Sequence, residues 1–213
     1  MASFMTTTEI RAKSRSLASK AGLSIPMTLP LLEEELQVRK LEDVIYRLLC
    51  LHAVAATSYG FANAKATAWL RHENLEAKLT DAESRFVAHG EGLPRTFRTQ
   101  IEGMWALAWA VNVVPMLDFW ENCANDFVKQ LPDIKISQPG AEWRKQLNIE
   151  LRPRDSLVSA CDLAYCLHWA IRQHEIEGKK LPARLTDYVV IERRRALEWL
   201  LCNEFWDAIS LDT

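Results

Sequence analysis

Two cysteines and two histidines lie within the stretch CDLAYCLHWAIRQHE at positions 161–175, and both residue types bind zinc or perform nucleophilic catalysis. Each residue of an α-helix advances about 100° around the axis. On a helix, Cys166 and His174 would therefore point away from the side that Cys161 and His168 share. Since the four side chains cannot converge on one ion, we expect no metal site here.

A cysteine nucleophile with a histidine base is also disfavoured by the spacing. Cys161 and His168 would be two helical turns apart, about 10 Å along the axis, which is too far for direct proton transfer. The chain also lacks the GxGxxG, GxxxxGK[ST], HExxH and GxSxG patterns of nucleotide-binding and hydrolytic enzymes. The motifs therefore identify no reaction.

One side of this helix is predicted to be polar and aromatic, and the opposite side apolar. The polar side consists of Cys161, Asp162, Tyr165, His168, Trp169 and Arg172. We expect it to be partly buried in a hydrogen-bonded layer, because a solvated helix surface is seldom so aromatic. A buried polar group without a partner costs about 1–3 kcal/mol, so each of these groups should have one.

The next helix places Arg194 within its apolar stripe. A buried guanidinium needs a carboxylate partner, and we expect Asp162, Asp207 or Asp212 to supply it. The alternative is a side chain whose stem is buried and whose charge reaches solvent. We interpret the arginine as part of a structural ion pair rather than a catalytic one.

The elements that hold these residues are predicted to be helices, because apolar residues recur at spacings of three and four. The predicted helices cover residues 8–20, 31–60, 62–77, 80–90, 94–115, 121–131, 154–177 and 186–202. The fold class is therefore all-α, a single compact domain of seven or eight helices with a central apolar helix over GMWALAWAVNVV. The domain is expected to cover residues 1–213, with residues 1–30 loosely attached.

Local signals mark several helix ends. Thr80 and Glu83 form a predicted capping box, and Gly90 is expected to end that helix. The three acids at residues 33–35 would occupy the first turn of the long helix, where negative charge suits the helix dipole. We interpret those acids as structural rather than as an acidic docking patch.

Composition excludes several classes of protein. A net charge of −2 provides no basic surface for nucleic acid. The five cysteines show no CxxC spacing and lie in apolar-periodic segments, as expected of reduced cytosolic thiols. No secretory signal is recognisable, and no apolar run reaches the ~18 residues of a membrane span. We expect a cytoplasmic protein with no cofactor and no membrane or nucleic-acid partner.

The segments RDSLVSACDLAYCLHWAIRQHEIEG, VVIERRRALEWL and WDAISLDT resemble the bacterial domain-of-unknown-function family 4272. The resemblance spans nearly the whole chain and is most specific in its last sixty residues, whereas residues 132–150 carry little of it. The family has no established activity, so it implies no catalytic residues. Its recurrent residues include the predicted structural polar network of Asp162, His168, Trp169, Arg172, Arg193, Arg194, Asp207 and Asp212.

The sequence as a whole is also similar to an immunity protein of a bacterial type VI secretion system. That similarity implies a protein that binds and neutralises a cognate nuclease toxin without catalysis. The nearly neutral charge argues against DNA mimicry, so we expect it to cover an edge of the toxin active site or to block toxin assembly. The expected state is a monomer or weak homodimer. The alternatives are an enzyme using an Asp/His/Arg cluster of the two C-terminal helices, and a housekeeping scaffold.

Overall fold

The computed structural model describes residues 5–33, 35–182 and 184–212, and all regular structure in these ranges is helical. The α-helices are α1 (Thr7–Lys20), α2 (Leu41–Ser58), α3 (Asn63–His72), α4 (Asp81–His89), α5 (Pro94–Arg98), α6 (Ile101–Ala110), α7 (Gly140–Lys145), α8 (Arg154–Ile176) and α9 (Asp187–Leu200). Among the described residues, all but α5 and α7 have at least nine residues, which leaves seven substantial helices. The prediction of an all-α fold with seven or eight helices is confirmed.

The prediction that a long helix starts near Leu31 was wrong, because α2 begins only at Leu41. The segment before α2 is not helical, because it is bonded to the end of α9. The backbone N–H of Arg39 donates to the carbonyl of Leu200 at 2.9 Å, and its guanidinium Nε donates to the carbonyl of Trp199 at 2.6 Å. These contacts with residues distant in sequence hold the segment in an irregular conformation.

The acids assigned to that first turn are correspondingly displaced. Glu33 and Glu35 lie in irregular chain, and Glu34 lies outside the described residues. Glu42 and Asp43 occupy the first turn of α2 instead. The dipole argument therefore applies to α2, but to different carboxylates.

Some of the other predicted helix boundaries agree with the structure, and others do not. α1, α8 and α9 lie where the sequence predicts, and α4 begins with the expected capping box of Thr80 and Glu83. Gly90 ends α4 with φ of +74°, a left-handed conformation that glycine adopts without strain. The predicted helix at 121–131 was wrong, since only a 3-10 turn at Phe127–Gln130 forms there. The predicted helix at 94–115 is divided into α5 and α6.

Contacts within the chain define two compact units, each described by itself. The first unit comprises the described residues of 1–39, 118–122 and 152–213. In it, α8 packs against both α1 and α9. Its core includes Leu157, Leu167 and Ile171 of α8 and Val190, Leu197 and Leu200 of α9.

The second unit comprises the described residues of 40–117 and 123–151. Its core is built on α2, which packs against α3, α4, α5 and α6. The predicted apolar helix is α6, and eight of its ten residues are buried. The buried side chains of Arg47 and Glu83 form an ion pair that joins α2 to α4. The assignment of residues 1–213 to one domain, with residues 1–30 loosely attached, stays a prediction.

Candidate functional site

The polar side of α8 carries a buried ion pair with α1 in the first unit. The guanidinium Nε of Arg11 donates to both carboxylate oxygens of Asp162 at 3.1 Å, and its Nη2 donates to Oδ1 at 2.8 Å. Nη1 and Nη2 also donate to the carbonyls of Leu29 and Pro30, each at 2.8 Å. Arg11 therefore ties together α8, α1 and the segment that follows α1.

Sequence reasoning missed Arg11 as the partner of Asp162. A signal was present, since Ile10, Ser14 and Ala18 share the buried face of α1 with Arg11 at helical spacing. An arginine on such a face demands a carboxylate in the same way that Arg194 does. The sequence could therefore have predicted that Arg11 needs a carboxylate partner, although it could not have identified that partner as Asp162.

The second buried guanidinium, Arg194 of α9, bonds to four different groups. Its Nε donates to Glu198 Oε1 at 2.6 Å, and its Nη1 lies 2.6 Å from Nδ1 of His168. Nη1 also donates to the carbonyl of Leu211, and Nη2 to the carbonyl of Asp212, both at 3.1 Å. One side chain thus connects α9 to α8 and to the C-terminal residues.

The expected carboxylate partner of Arg194 was therefore wrong. The partner is Glu198, one turn along the same helix, rather than Asp162, Asp207 or Asp212. Asp162 is committed to Arg11, and Asp212 contributes its backbone carbonyl. An i,i+4 partner is reached without moving any other element, which explains why the local acid meets the guanidinium.

His168 is held as a neutral imidazole. Because a guanidinium carries only donors, the Nδ1 atom that faces Arg194 must accept, and the ring proton is therefore on Nε2. Burial, together with the positive charges of Arg194 and Arg172, lowers the pKa of His168 from 6.5 to about 4. The acceptor nitrogen that a general base would use is already occupied.

Tyr165 of α8 lies between the two ion-pair groups. The Cζ atom of Arg194 is 4.9 Å from its ring centroid, and that of Arg11 is 5.6 Å away. Both distances lie within the range of cation–π attraction. Asp162, Arg11, Tyr165, Arg194 and His168 therefore form a continuous polar layer, which we call the α8 polar layer.

The two cysteines of the opening stretch remain thiols. Burial, together with the nearby Asp162 carboxylate, raises the pKa of Cys166 to about 12. Burial and the nearby Glu198 raise the pKa of Cys161 well above its ordinary value. Since the thiolate is the nucleophilic form, neither cysteine is activated for nucleophilic attack.

The remaining members of the predicted network lie at different places in the first unit. Arg193 is buried and donates to the carbonyl of Glu121 at 3.0 Å, and Trp169 is half-buried on α8. Arg172 is exposed and pairs with Glu175 on the same helix. Asp207 is exposed in the 3-10 turn of Trp206–Ala208. The structure therefore brings together Asp162, His168 and Arg194 with the backbone of Asp212, and leaves Arg172 and Asp207 outside.

The second unit contains one other buried histidine. His52 of α2 bonds through Nε2 to the carbonyl of Pro132 at 2.8 Å and meets the Trp69 ring edge-on, with centroids 6.2 Å apart. Burial lowers its pKa. It is thus a neutral core histidine, in agreement with its sequence position among leucines.

Neither unit presents a metal centre within the part of the chain that the structure describes. No group of three or more His, Cys, Asp or Glu side chains there is placed to hold an ion. No helix in the same ranges is long and apolar enough to cross a lipid bilayer. The chemistry supported by the geometry is mutual hydrogen bonding between packed helices.

Comparison with known proteins identifies a family for this chain. A family model described as a domain of unknown function (DUF4272) matches residues 10–209, which include every side chain of the α8 polar layer. No curated protein and no solved structure matches the chain. The similarity to a type VI immunity protein therefore stays a prediction.

Proposed function

The chain belongs to the domain-of-unknown-function family 4272, and from that premise we propose that it is an immunity protein. In this proposal it binds a cognate nuclease toxin in the cytoplasm and neutralises it by protein–protein contact, without catalysing a reaction. A rigid scaffold with a complementary surface is sufficient for that role, because binding depends on preorganisation and complementarity rather than on reactive groups.

The observation that supports a binding role is the burial of the groups that an enzyme would need. Asp162 is 1% exposed, Arg194 3% and His168 5%. A catalytic residue must reach the reacting atoms, yet these side chains are bonded to one another or to Arg11 and Glu198. Such groups stiffen a scaffold and leave recognition to its outer surface.

The enzymatic alternative requires Asp162, His168, Arg172, Arg194 and Asp207 to face a common cleft. Arg172 and Asp207 are exposed, whereas the other three side chains are buried. This separation argues against a single catalytic constellation from the two C-terminal helices. The family description, a domain of unknown function, supplies no activity that would favour it.

Net charge bears on the mode of inhibition. A DNA-mimicking inhibitor presents a strong negative potential to a basic cleft, but this chain has a formal charge of only −2. We therefore propose contact with an edge of the toxin active site or with a toxin assembly surface. The partner is a protein, and the expected form of the free inhibitor is a monomer or weak homodimer.

The test is co-expression with the product of the neighbouring toxin gene. We expect growth rescue, recovery of a 1:1 complex with a catalytically inactive toxin variant, and loss of nuclease activity on titration of active toxin. A nuclease toxin from an unrelated operon is the specificity control and should stay active. Failure to co-purify, together with an undiminished toxin activity, would refute the proposal.

A further inference from the structure

The C-terminal residues 201–212 form little regular structure of their own. Their only described helical element is the 3-10 turn of Trp206–Ala208. Such a segment stays in place only through contacts with the rest of the fold, because it has few internal backbone hydrogen bonds. We call residues 201–212 the C-terminal strap.

The strap is held to the first unit by apolar and polar attachments. The Trp206 ring packs edge-on against Trp199 of α9, with centroids 5.7 Å apart, and Ile209 is buried. The polar attachments lie at both ends of the strap. At its start, the Arg39 guanidinium donates to the carbonyl of Glu204, and the Asn203 amide donates to Gln37 Oε1. At its far end, Arg194 donates to the carbonyls of Leu211 and Asp212 at 3.1 Å. Arg194 is therefore the cation that fixes the far end of the strap.

The same Arg194 nitrogen that holds Leu211 also bonds to His168. Nη1 lies 2.6 Å from Nδ1 of the imidazole, which accepts its hydrogen. A proton on Nδ1 would place two donors and two positive charges at that distance. An arginine stays charged at all accessible pH values, so the pair must separate when His168 is protonated.

The charges around His168 do not favour the protonated ring. Arg194 from α9 and Arg172 from α8 both act on it as cations. Glu198 binds the opposite nitrogen of Arg194, and Arg11 from α1 lies against the Tyr165 ring. On the strap itself, the Asp212 carboxylate accepts from Ser210 Oγ at 2.8 Å. A proton on His168 is therefore accommodated by moving the ring or by moving Arg194.

We propose that the far part of the strap is a proton-controlled latch, in which protonation of His168 displaces Arg194 and releases residues 205–212 while α8 and α9 stay packed and Arg39 still holds Glu204. The inference is independent of the toxin-binding proposal, because it concerns the free protein. The latch is closed near neutral pH. Release is favoured as pH falls from 6.5, the ordinary pKa of a free histidine, toward about 4, the value for the buried ring.

The experiment follows the strap in the full-length protein by NMR, using the Ile209 methyl and Trp206 indole signals at pH 7 and pH 4.5. In the unmodified chain the released fraction should rise about tenfold or more at the lower pH, as expected for loss of the two charged hydrogen bonds from Arg194 to the strap. His168→Gln should abolish this rise, because the amide oxygen still accepts from Arg194 and does not titrate. Signals from Leu167 and Leu197 report whether the helices remain folded.

Two further variants test whether release of the strap depends on His168 or on other groups that titrate at low pH. His174→Gln changes a histidine of the same helix that bonds to the carbonyl of Ala170 at 2.8 Å, and it should behave like the unmodified chain. Glu198→Gln removes the titration of the other Arg194 partner and should keep the pH response. An equal release in His168→Gln would overturn the proposal.

A direct measurement covers the case in which His168→Gln does not fold. The imidazole ¹⁵N shifts of His168 report its protonation in the unmodified protein. If His168 becomes protonated while the Ile209 and Trp206 signals are unchanged, the ring moves instead of Arg194, and the latch does not exist. Coincident changes in the imidazole and strap signals support it.

Discussion

Arg11 and Asp162 are separated by 151 positions in the chain, yet their buried side chains form a two-pronged ion pair between α1 and α8. The guanidinium has further bonds to the carbonyls of Leu29 and Pro30, so its donors are shared between a carboxylate and backbone. Breaking such a pair on one side leaves an uncompensated charge in the interior.

The first prediction is that Asp162→Asn destabilises the protein by about 3–5 kcal/mol, because Arg11 would stay buried without its counter-charge. The free energy of unfolding by urea measures this loss. Glu175→Gln is the matched control, since it breaks the exposed pair with Arg172 on the same helix and should cost less than about 1 kcal/mol. Similar losses in both variants would contradict a structural role for the Arg11–Asp162 pair.

The second prediction concerns acid stability. Because burial and the charges of Arg194 and Arg172 lower the pKa of His168 from 6.5 to about 4, the unfolded chain binds a proton at a higher pH than the folded chain does. Stability is therefore fully present above about pH 6.5 and falls as pH decreases to about 4. His168→Gln should remove about 1–3 kcal/mol of this fall, measured as the difference in unfolding free energy between pH 7 and pH 4.5. Parallel pH profiles for the two proteins would contradict the prediction.

The third prediction compares two capping boxes. Thr6 and Glu9 cap α1 at the surface, whereas Thr80 and Glu83 cap α4 with Glu83 buried against Arg47. Glu83→Gln should cost about 3 kcal/mol or more, since it also unbalances a buried ion pair. Glu9→Gln should cost far less, because this carboxylate is fully exposed and solvent screens its charge. Thermal or urea unfolding of the two variants checks the contrast, and equal costs would show that the ion pair contributes nothing beyond the cap.

The fourth prediction orders the reactivity of the thiols. Burial raises the pKa of Cys50 and of Cys166 to about 12, and that of Cys161 well above its ordinary value. Cys123 and Cys202 are half-buried. Alkylation of the folded protein at pH 8, followed by peptide mass spectrometry, should label the half-buried pair first. Rapid labelling of Cys161 or Cys166 would show that the α8 polar layer opens readily.

Much of the helical structure was determined locally. The start of α4 at Thr80, its end at Gly90, and the limits of α8 and α9 follow from caps and apolar periodicity within a few residues. The sequence also predicted that the polar side of α8 would be partly buried, because a solvated helix surface is seldom so aromatic. Helical geometry relates only neighbours three or four positions apart, so this information is available from short windows.

The partners of the buried charges were decided by tertiary structure. The sequence required a carboxylate for Arg194, and Glu198 lies within reach one turn along the same helix, but only packing could bring Asp162 to Arg11. The late start of α2 has the same origin, since Arg39 bonds to residues near the end of α9. These pairings depend on which helices meet although they lie far apart in the chain. A buried ion pair is stable only when both charges leave water and contact each other.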